Sequence, residues 1–156
     1  QGVFVVPAFT GLGAPHWQPS VRGLITGLTL DSNRDQVITA TLQSVVLQTQ
    51  ELLQAMAQDG ASVETLRIDG GMVVNEALCQ CLADILNVQV QRPVDVETTA
   101  RGAAILAALG CGQLVDLTDA ANSWQLDQTF SPQMSAERRQ QLLDGYARAV
   151  TQAMAS

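Results

Sequence analysis

The segment LRIDGGMVVNEAL holds the residue types best suited to chemistry in this chain. A short apolar run ends at Asp69, Gly70 and Gly71 follow, and a helix-like stretch begins near Asn75. Glycine lets the backbone turn sharply and lets a ligand approach it closely. The N–H groups at a helix start attract negative charge. An asparagine amide both donates and accepts hydrogen bonds, as a nucleobase edge or a ribose requires. The pattern is typical of an anion or nucleotide site.

The same spacing also fits a purely structural turn between a strand and a helix. The two glycines would then provide a positive φ, and Asn75 would be the N-cap of the helix. Neither the GxGxxG dinucleotide fingerprint nor the GxxxxGK[ST] phosphate loop is present. Spacing alone therefore leaves both interpretations open.

The other polar candidates favour structural roles. His16 is the only histidine and lies in a glycine- and proline-rich loop, so we predict that it packs and binds no metal. We expect Asp84 on a solvated helix face. Glu97 and Thr98 precede an alanine-rich stretch, and we expect one of them to cap that helix.

The three cysteines, Cys79, Cys81 and Cys111, form neither a zinc nor a disulfide pattern. The first two lie at i and i+2 of a predicted helix and do not share a face. We expect buried free thiols in a reducing compartment.

Arg138 and Arg139 begin the last predicted helix, where cations oppose the helix dipole. A partner surface there is one interpretation.

The elements that position the Asp-Gly-Gly segment alternate between helices and strands. A long helix is predicted from a capping box of Ser32 and Asp35, with Asn33 between them, to a left-handed terminator at Gly60. Alternation of this kind predicts right-handed crossovers and a layered α/β domain. The first predicted strand lies in the β-rich stretch 2–9 and stops at Pro7 or soon after. The other predicted elements are strands over 21–30, 65–69 and 88–93 and helices over 75–86, 98–110, 116–121 and 135–154.

Small residues indicate where these elements approach one another. Gly23 and Gly27, in the second strand, indicate a bulge or a close crossing of two backbones. The helix over 98–110 carries five small residues that allow close approach of a neighbouring element, namely Gly102, Ala103, Ala104, Ala107 and Ala108.

Composition and charge restrict the class of protein. The chain has 156 residues, of which 47% are hydrophobic, which suits one globular domain. Eight basic against fifteen acidic residues give a net charge of −7, which disfavours nucleic acid as a partner. No apolar run reaches the roughly 18–20 residues of a membrane span. The first residue is glutamine, and we expect a piece of a longer, soluble protein.

Several segments together resemble the C-terminal part of the glycerol kinase branch of the FGGY family of carbohydrate kinases. The likeness runs in order from Gly2 to Met154. The sequence motifs PAFTGLGAP and DGG favour the glycerol branch over pentulose kinases. The segments are VPAFTGLGAPHW, RGLITGLT, ATLQSVVLQTQELLQAM, LRIDGGMVVNEAL, LADILNVQVQRP and ETTARGAAILAALGCG.

The resemblance implies an α/β, ribonuclease-H-like (actin-like ATPase) domain that is incomplete at its N-terminal side. Residues 1–156 would form a partial C-terminal kinase domain without its upstream strands and N-terminal domain, leaving a sheet edge for self-association. Two such domains would hinge around a cleft that holds ATP, Mg²⁺ and glycerol. Gly71 and Asn75 match nucleotide-contacting positions of the family, with Gly70 and Met72 as flanking backbone.

The resemblance also implies the activity of the parent protein. It would be an ATP:glycerol 3-phosphotransferase that makes sn-glycerol 3-phosphate and ADP, in the cytoplasm, as a homo-oligomer. The aspartate base of the family lies upstream, so this chain carries no catalytic and no metal-binding residue and is expected to be inactive alone. Two alternatives stay open: an oligomerisation or interaction module, and part of a kinase for another polyol or ketose.

Overall fold

Two separate sheets organise the part of the chain described by the computed structural model, residues 2–116, 118 and 124–156. In the first sheet, β1 (Phe4–Val6) pairs antiparallel with β2 (Leu24–Thr26). β1 ends directly before Pro7, which lacks a backbone N–H, so the predicted end of this strand is confirmed. β2 is shorter than the predicted strand over 21–30, and Gly27 turns the chain after it with a φ of 80°. A Cβ at Gly27 would overlap the carbonyl of Gly2, which confirms the predicted close crossing.

Helix α1 (Arg34–Gln58) begins one residue later than predicted. The capping box joins Asn33 and Gln36, whose side chains each accept the other's backbone N–H at 3.0 Å. The predicted box of Ser32 and Asp35 is wrong, because Ser32 Oγ instead accepts the Thr29 N–H at 2.8 Å. The predicted end is confirmed by the left-handed φ of 90° at the glycine in position 60.

The second sheet contains the Asp-Gly-Gly segment. β3 (Thr65–Arg67) runs parallel to β4 (Gln89–Pro93), and α2 (Glu76–Leu86) connects them. Helix α3 (Thr98–Gly110) follows β4 with the predicted bounds. The predicted short helix over 116–121 lies mostly outside the described residues.

A strand that the sequence does not predict completes the second sheet. β5 (Leu126–Phe130) pairs antiparallel with β4 and gives the strand order β3-β4-β5. The predicted alternation of strand and helix therefore holds as far as α3, and the sheet is mixed rather than parallel throughout.

Helix α4 (Ala136–Met154) closes the described chain, and Ser135 caps its N-terminus. Arg139 Nε donates to the Ile85 carbonyl at 2.6 Å, at the C-terminal end of α2, where a cation is favourable. Arg139 thus has a structural role, and the partner surface at Arg138 and Arg139 stays a prediction. Asp84 is also not simply solvated: its Oδ1 accepts the N–H groups of Gln133 and Met134 at 2.7 and 3.3 Å.

The hydrophobic core lies between the helices and both sheets. α1 packs against α2 and β1, α2 covers β4 and β5, and α4 covers β1. The largest fully buried apolar side chains are Leu47, Ile85, Val6, Val46, Val90 and Val150, together with Tyr146. The core thereby fixes α2, whose first residue follows the Asp-Gly-Gly segment.

Helix α3 is the exception to this packing. None of its described residues is buried, and a Cβ built at Gly102 meets nothing within 4 Å. The prediction that its small residues contact a neighbouring element is therefore wrong for the described residues.

Among the described residues, no helix is long and apolar enough to span a membrane.

Candidate functional site at the Asp-Gly-Gly junction

The junction after β3 has the backbone geometry that its glycines predict. Gly70 has a φ of 88°, in the left-handed region that glycine adopts readily. A 3-10 turn over Gly71–Val74 follows, and α2 begins directly after it. A Cβ at Gly70 or Gly71 would meet no atom within 4 Å, so this stretch of backbone is open on its outer side.

Asn75 is the N-cap of α2, as the structural interpretation predicts. Its Oδ1 accepts the Leu78 N–H at 3.2 Å. Among the described residues, no hydrogen bond engages its Nδ2 group. One end of the amide therefore stabilises the helix, while the other end is available to donate to a ligand.

The loop after β4 lies beside this junction, because β3 and β4 are parallel and end at the same edge. The Gly70 N–H donates to the Val96 carbonyl at 2.9 Å. Thr98 Oγ1 donates to Asp69 Oδ2. The N-termini of α2 and α3, with their positive dipole ends, therefore face the same edge of the sheet. Ligands of open α/β sheets bind at this carboxyl edge.

The capping prediction for α3 is wrong. Glu97 occupies the N-cap position, but its side chain makes no capping hydrogen bond. Thr98, the other candidate, bonds across to Asp69 instead of capping its own helix. The loop is ordered locally by Asp95, whose Oδ1 accepts the Glu97 N–H at 3.0 Å.

A charged cluster that sequence reasoning missed lies behind the turn. Arg92 Nη2 lies 2.6 Å from Asp127 Oδ2 and 3.9 Å from Glu76 Oε1. These side chains, with Val74 and Val96, line a cavity of about 310 Å³. The only signal in the sequence was the arginine next to the proline that ends β4.

A larger cavity of about 670 Å³ lies at the other end of α2, between α1 and α4.

His16 packs as predicted. Its Nε2 lies 3.1 Å from Glu51 Oε1 on α1, and the histidine side chain is 23% exposed. This pair joins the glycine- and proline-rich loop to α1. It lies on a different element from the Asp-Gly-Gly junction, and we assign it no chemical role.

The three cysteines are free thiols. Burial raises the pKa of Cys79, and it raises the pKa of Cys81 to about 11. Cys111 is exposed, so the prediction of burial is wrong for this residue, which follows the unpacked helix α3. The described residues contain no group of three or more metal-binding side chains. We therefore assign no metal ligand to them.

The order of elements, the parallel pair β3-β4 and the open junction at its carboxyl edge define a ribonuclease-H-like α/β domain of the sugar kinase type. Residues 1–111 match the C-terminal domain of the FGGY family of carbohydrate kinases. The chain belongs to this family, as its sequence motifs indicate.

Relatives similar to this chain include glycerol kinases. Glycerol kinase 1 of Pseudomonas aeruginosa is 52% identical over 150 residues, which are 96% of this chain and 30% of that protein. Glycerol kinase 1 of Clostridium tetani is 49% identical over 155 residues, which are 99% of this chain and 31% of that protein. The chain therefore spans less than a third of the length of these relatives.

Solved structures agree with the fold. Plasmodium falciparum glycerol kinase with ADP superposes with a TM-score of 0.82 at 31% identity, over 97% of this chain and 31% of that one. Xylulose kinase of Lactobacillus acidophilus gives a TM-score of 0.83 at 21% identity, over 99% of this chain and 32% of that one. The second likeness concerns the fold alone.

Proposed function

We propose that this chain is the nucleotide-side domain of an ATP-dependent glycerol kinase. The overall reaction converts glycerol and ATP to sn-glycerol 3-phosphate and ADP. The observation that carries the proposal is the open Gly70-Gly71 backbone beside two helix N-termini. The ADP named for a 31% identical structure and the glycerol kinase names of relatives near 50% identity support it.

The residues of the junction would each have a distinct task. The absence of side chains at Gly70 and Gly71 lets the nucleotide lie directly on the backbone, with Met72 flanking it. Asn75 Nδ2 donates to the adenine or ribose while Oδ1 keeps capping α2. These interactions bind and orient the nucleotide, and they transfer no proton.

The chemical step needs groups from outside this domain. Phosphoryl transfer depends on positioning, on Mg²⁺ and on charge stabilisation around the phosphates. Mg²⁺ binds mostly to substrate phosphates, waters and one or two carboxylates, and we assign none of those carboxylates here. By resemblance, an upstream aspartate takes the proton of the glycerol hydroxyl. Residues 1–156 would therefore be part of a larger catalytic unit and inactive alone.

The decisive experiment places this chain in a complete kinase. It would replace the matching last 30% of the Pseudomonas aeruginosa relative, and ADP release would be followed with Mg-ATP and glycerol. We expect glycerol-dependent turnover from the chimera and none from the 156-residue chain. A folded chimera without turnover would contradict the role of this chain as the nucleotide-side domain of a glycerol kinase.

The two roles of Asn75 can be separated by substitution. Serine is as good an N-cap as asparagine, so Asn75→Ser should leave the melting temperature unchanged. Loss of the amide donor should weaken ADP binding about three- to tenfold, since one neutral hydrogen bond contributes about 0.5–1.5 kcal/mol. Isothermal titration of the chimera measures the affinity. Unchanged affinity would leave Asn75 with its capping role only.

Self-association remains a second proposal. Three apolar residues spaced by seven on α1, Ile38, Val45 and Leu52, are 50%, 39% and 42% exposed, which favours a contact between two copies. Light scattering should therefore give a dimer or larger for the chain and a monomer for Leu52→Arg. A monomeric wild-type chain would contradict self-association.

The free thiols at Cys79 and Cys81 support a cytoplasmic location.

A further inference from the structure

The guanidinium of Arg92 connects β4, β5 and the turn that follows Gly70. Nη1 donates to the Val73 carbonyl at 3.0 Å, while Nε donates to Asp127 Oδ2 at 2.8 Å. Nη2 also donates to Gln128 Oε1 at 3.2 Å. The side chain is only 12% exposed. A rigid fork of five donors can serve a carbonyl and a carboxylate at once, which a lysine ammonium cannot do with the same geometry.

The charge of this largely covered guanidinium is balanced locally. The hydrogen bond with Asp127 raises the pKa of Arg92, and the nearby Glu76 carboxylate acts in the same direction. The ring of Phe130 lies 5.6 Å away and packs on the guanidinium. Arg92 is therefore held in one orientation from the β5 side, with Nη1 directed at the turn.

The acceptor of that bond is the Val73 carbonyl, near the end of the 3-10 turn over Gly71–Val74. A second donor reaches the same oxygen, because Cys79 Sγ lies 3.1 Å from it. Val73 is also buried. The end of the turn that leads into Asn75 is thereby fixed by two side chains from different elements.

The beginning of the junction is fixed separately. The Gly70 N–H is bonded to the Val96 carbonyl, and Asp69 is bonded to Thr98. Between these two restraints lie Gly71 and Met72, of which the methionine is 52% exposed. The backbone proposed to carry the nucleotide is therefore restrained at both ends and open in the middle.

We propose that Arg92 is a positioning residue of the nucleotide site, acting through its bond to the Val73 carbonyl. The inference rests on the proposed function of the Asp-Gly-Gly junction. Arg92 touches no nucleotide; it holds the turn so that Gly71 and Asn75 keep the spacing that a bound nucleotide needs. Such preorganisation increases affinity because less ordering remains to occur on binding.

Three variants distinguish positioning from general stabilisation. Arg92→Gln removes the fork, Arg92→Lys keeps the charge, and Asp127→Asn breaks the ion pair while leaving the Val73 bond in place. Each variant is introduced into the chimera described above, and Mg-ADP binding is measured by isothermal titration. We expect Kd to rise about tenfold in Arg92→Gln. It should rise less in Arg92→Lys, and less again in Asp127→Asn, because the asparagine oxygen can still accept from Nε.

Hydrogen exchange in the ligand-free chain gives the second measurement. Faster exchange confined to the amides of residues 72–75 in Arg92→Gln, with unchanged rates inside α2, is the expected signature. Equal rises of Kd in Arg92→Gln and Asp127→Asn, or an unchanged Kd in the former, would overturn the role of Arg92 alone. If the wild-type chimera does not bind ADP, the proposed function fails, and this role fails with it.

Discussion

Gly71→Val abolishes ADP binding without lowering the stability of the domain; this is the expected result of adding a side chain to the junction. The φ of Gly71 is not in the left-handed region, and a Cβ there meets nothing within 4 Å. The folded protein therefore tolerates valine. A nucleotide lying on the backbone does not, because the isopropyl group occupies the space that the ligand needs. We expect a loss of at least about a hundredfold in affinity, since overlap of this kind excludes the bound pose.

Gly13→Val is the matched control for this variant. Gly13 also lacks a positive φ, and a Cβ there would meet nothing within 4 Å, but it lies in the loop between β1 and β2. Both variants should melt at the wild-type temperature, and only Gly71→Val should lose ADP binding in a titration. Unimpaired binding by Gly71→Val would show that the nucleotide does not contact the junction.

Gly145→Val gives the largest expected loss of stability. Gly145 lies in α4 against the ring of Phe4 in β1, and a Cβ would come within 2.6 Å of Phe4 Cε2. Valine must displace this ring from the core, and overpacking of this kind costs about 1–3 kcal/mol or more. The free energy of unfolding, measured by urea titration, should fall by about 3 kcal/mol, a large part of the total for a domain of this size.

Gly102→Val is the corresponding control. It makes the same change inside a helix, but a Cβ at Gly102 meets nothing within 4 Å. Glycine and valine differ little in helix propensity, by a few tenths of a kcal/mol, so the unfolding free energy should stay near the wild-type value. Adding Phe4→Ala to Gly145→Val should recover part of the loss. Equal losses in the two valine variants would contradict the clash with Phe4.

The sequence predicts those features that depend on neighbouring residues. α3 has its predicted bounds because Pro93 ends β4 shortly before it and the Gly110-Cys111-Gly112 cluster ends the helix. The left-handed conformations of Gly60 and Gly70 also follow from residue type. By contrast, Ser32 and Asn33 are both good N-caps, and their order alone does not decide which one caps α1.

The features that sequence reasoning missed depend on distant partners. β5 reads LDQTF, an edge strand with mostly exposed polar residues, so no apolar alternation marks it. Arg92 and Asp127 are 35 residues apart, and their contact exists only after β4 and β5 pair. Asp84 has the sequence pattern of an exposed helix residue, but the loop before α4 supplies two N–H donors to it. Local patterns carry no information about these contacts.

The position of β1 between α1 and α4 has a consequence for the order of folding during synthesis. Phe4 reaches its final packing only against α4, and the Thr26 hydroxyl bonds to Gln152 Oε1 across 126 residues of sequence. A ribosome releases the chain from its N-terminal side, so β1 emerges long before the helix that covers it. Contacts so distant in sequence also close slowly. β1 must therefore wait, with Phe4 unprotected, until α4 has been translated.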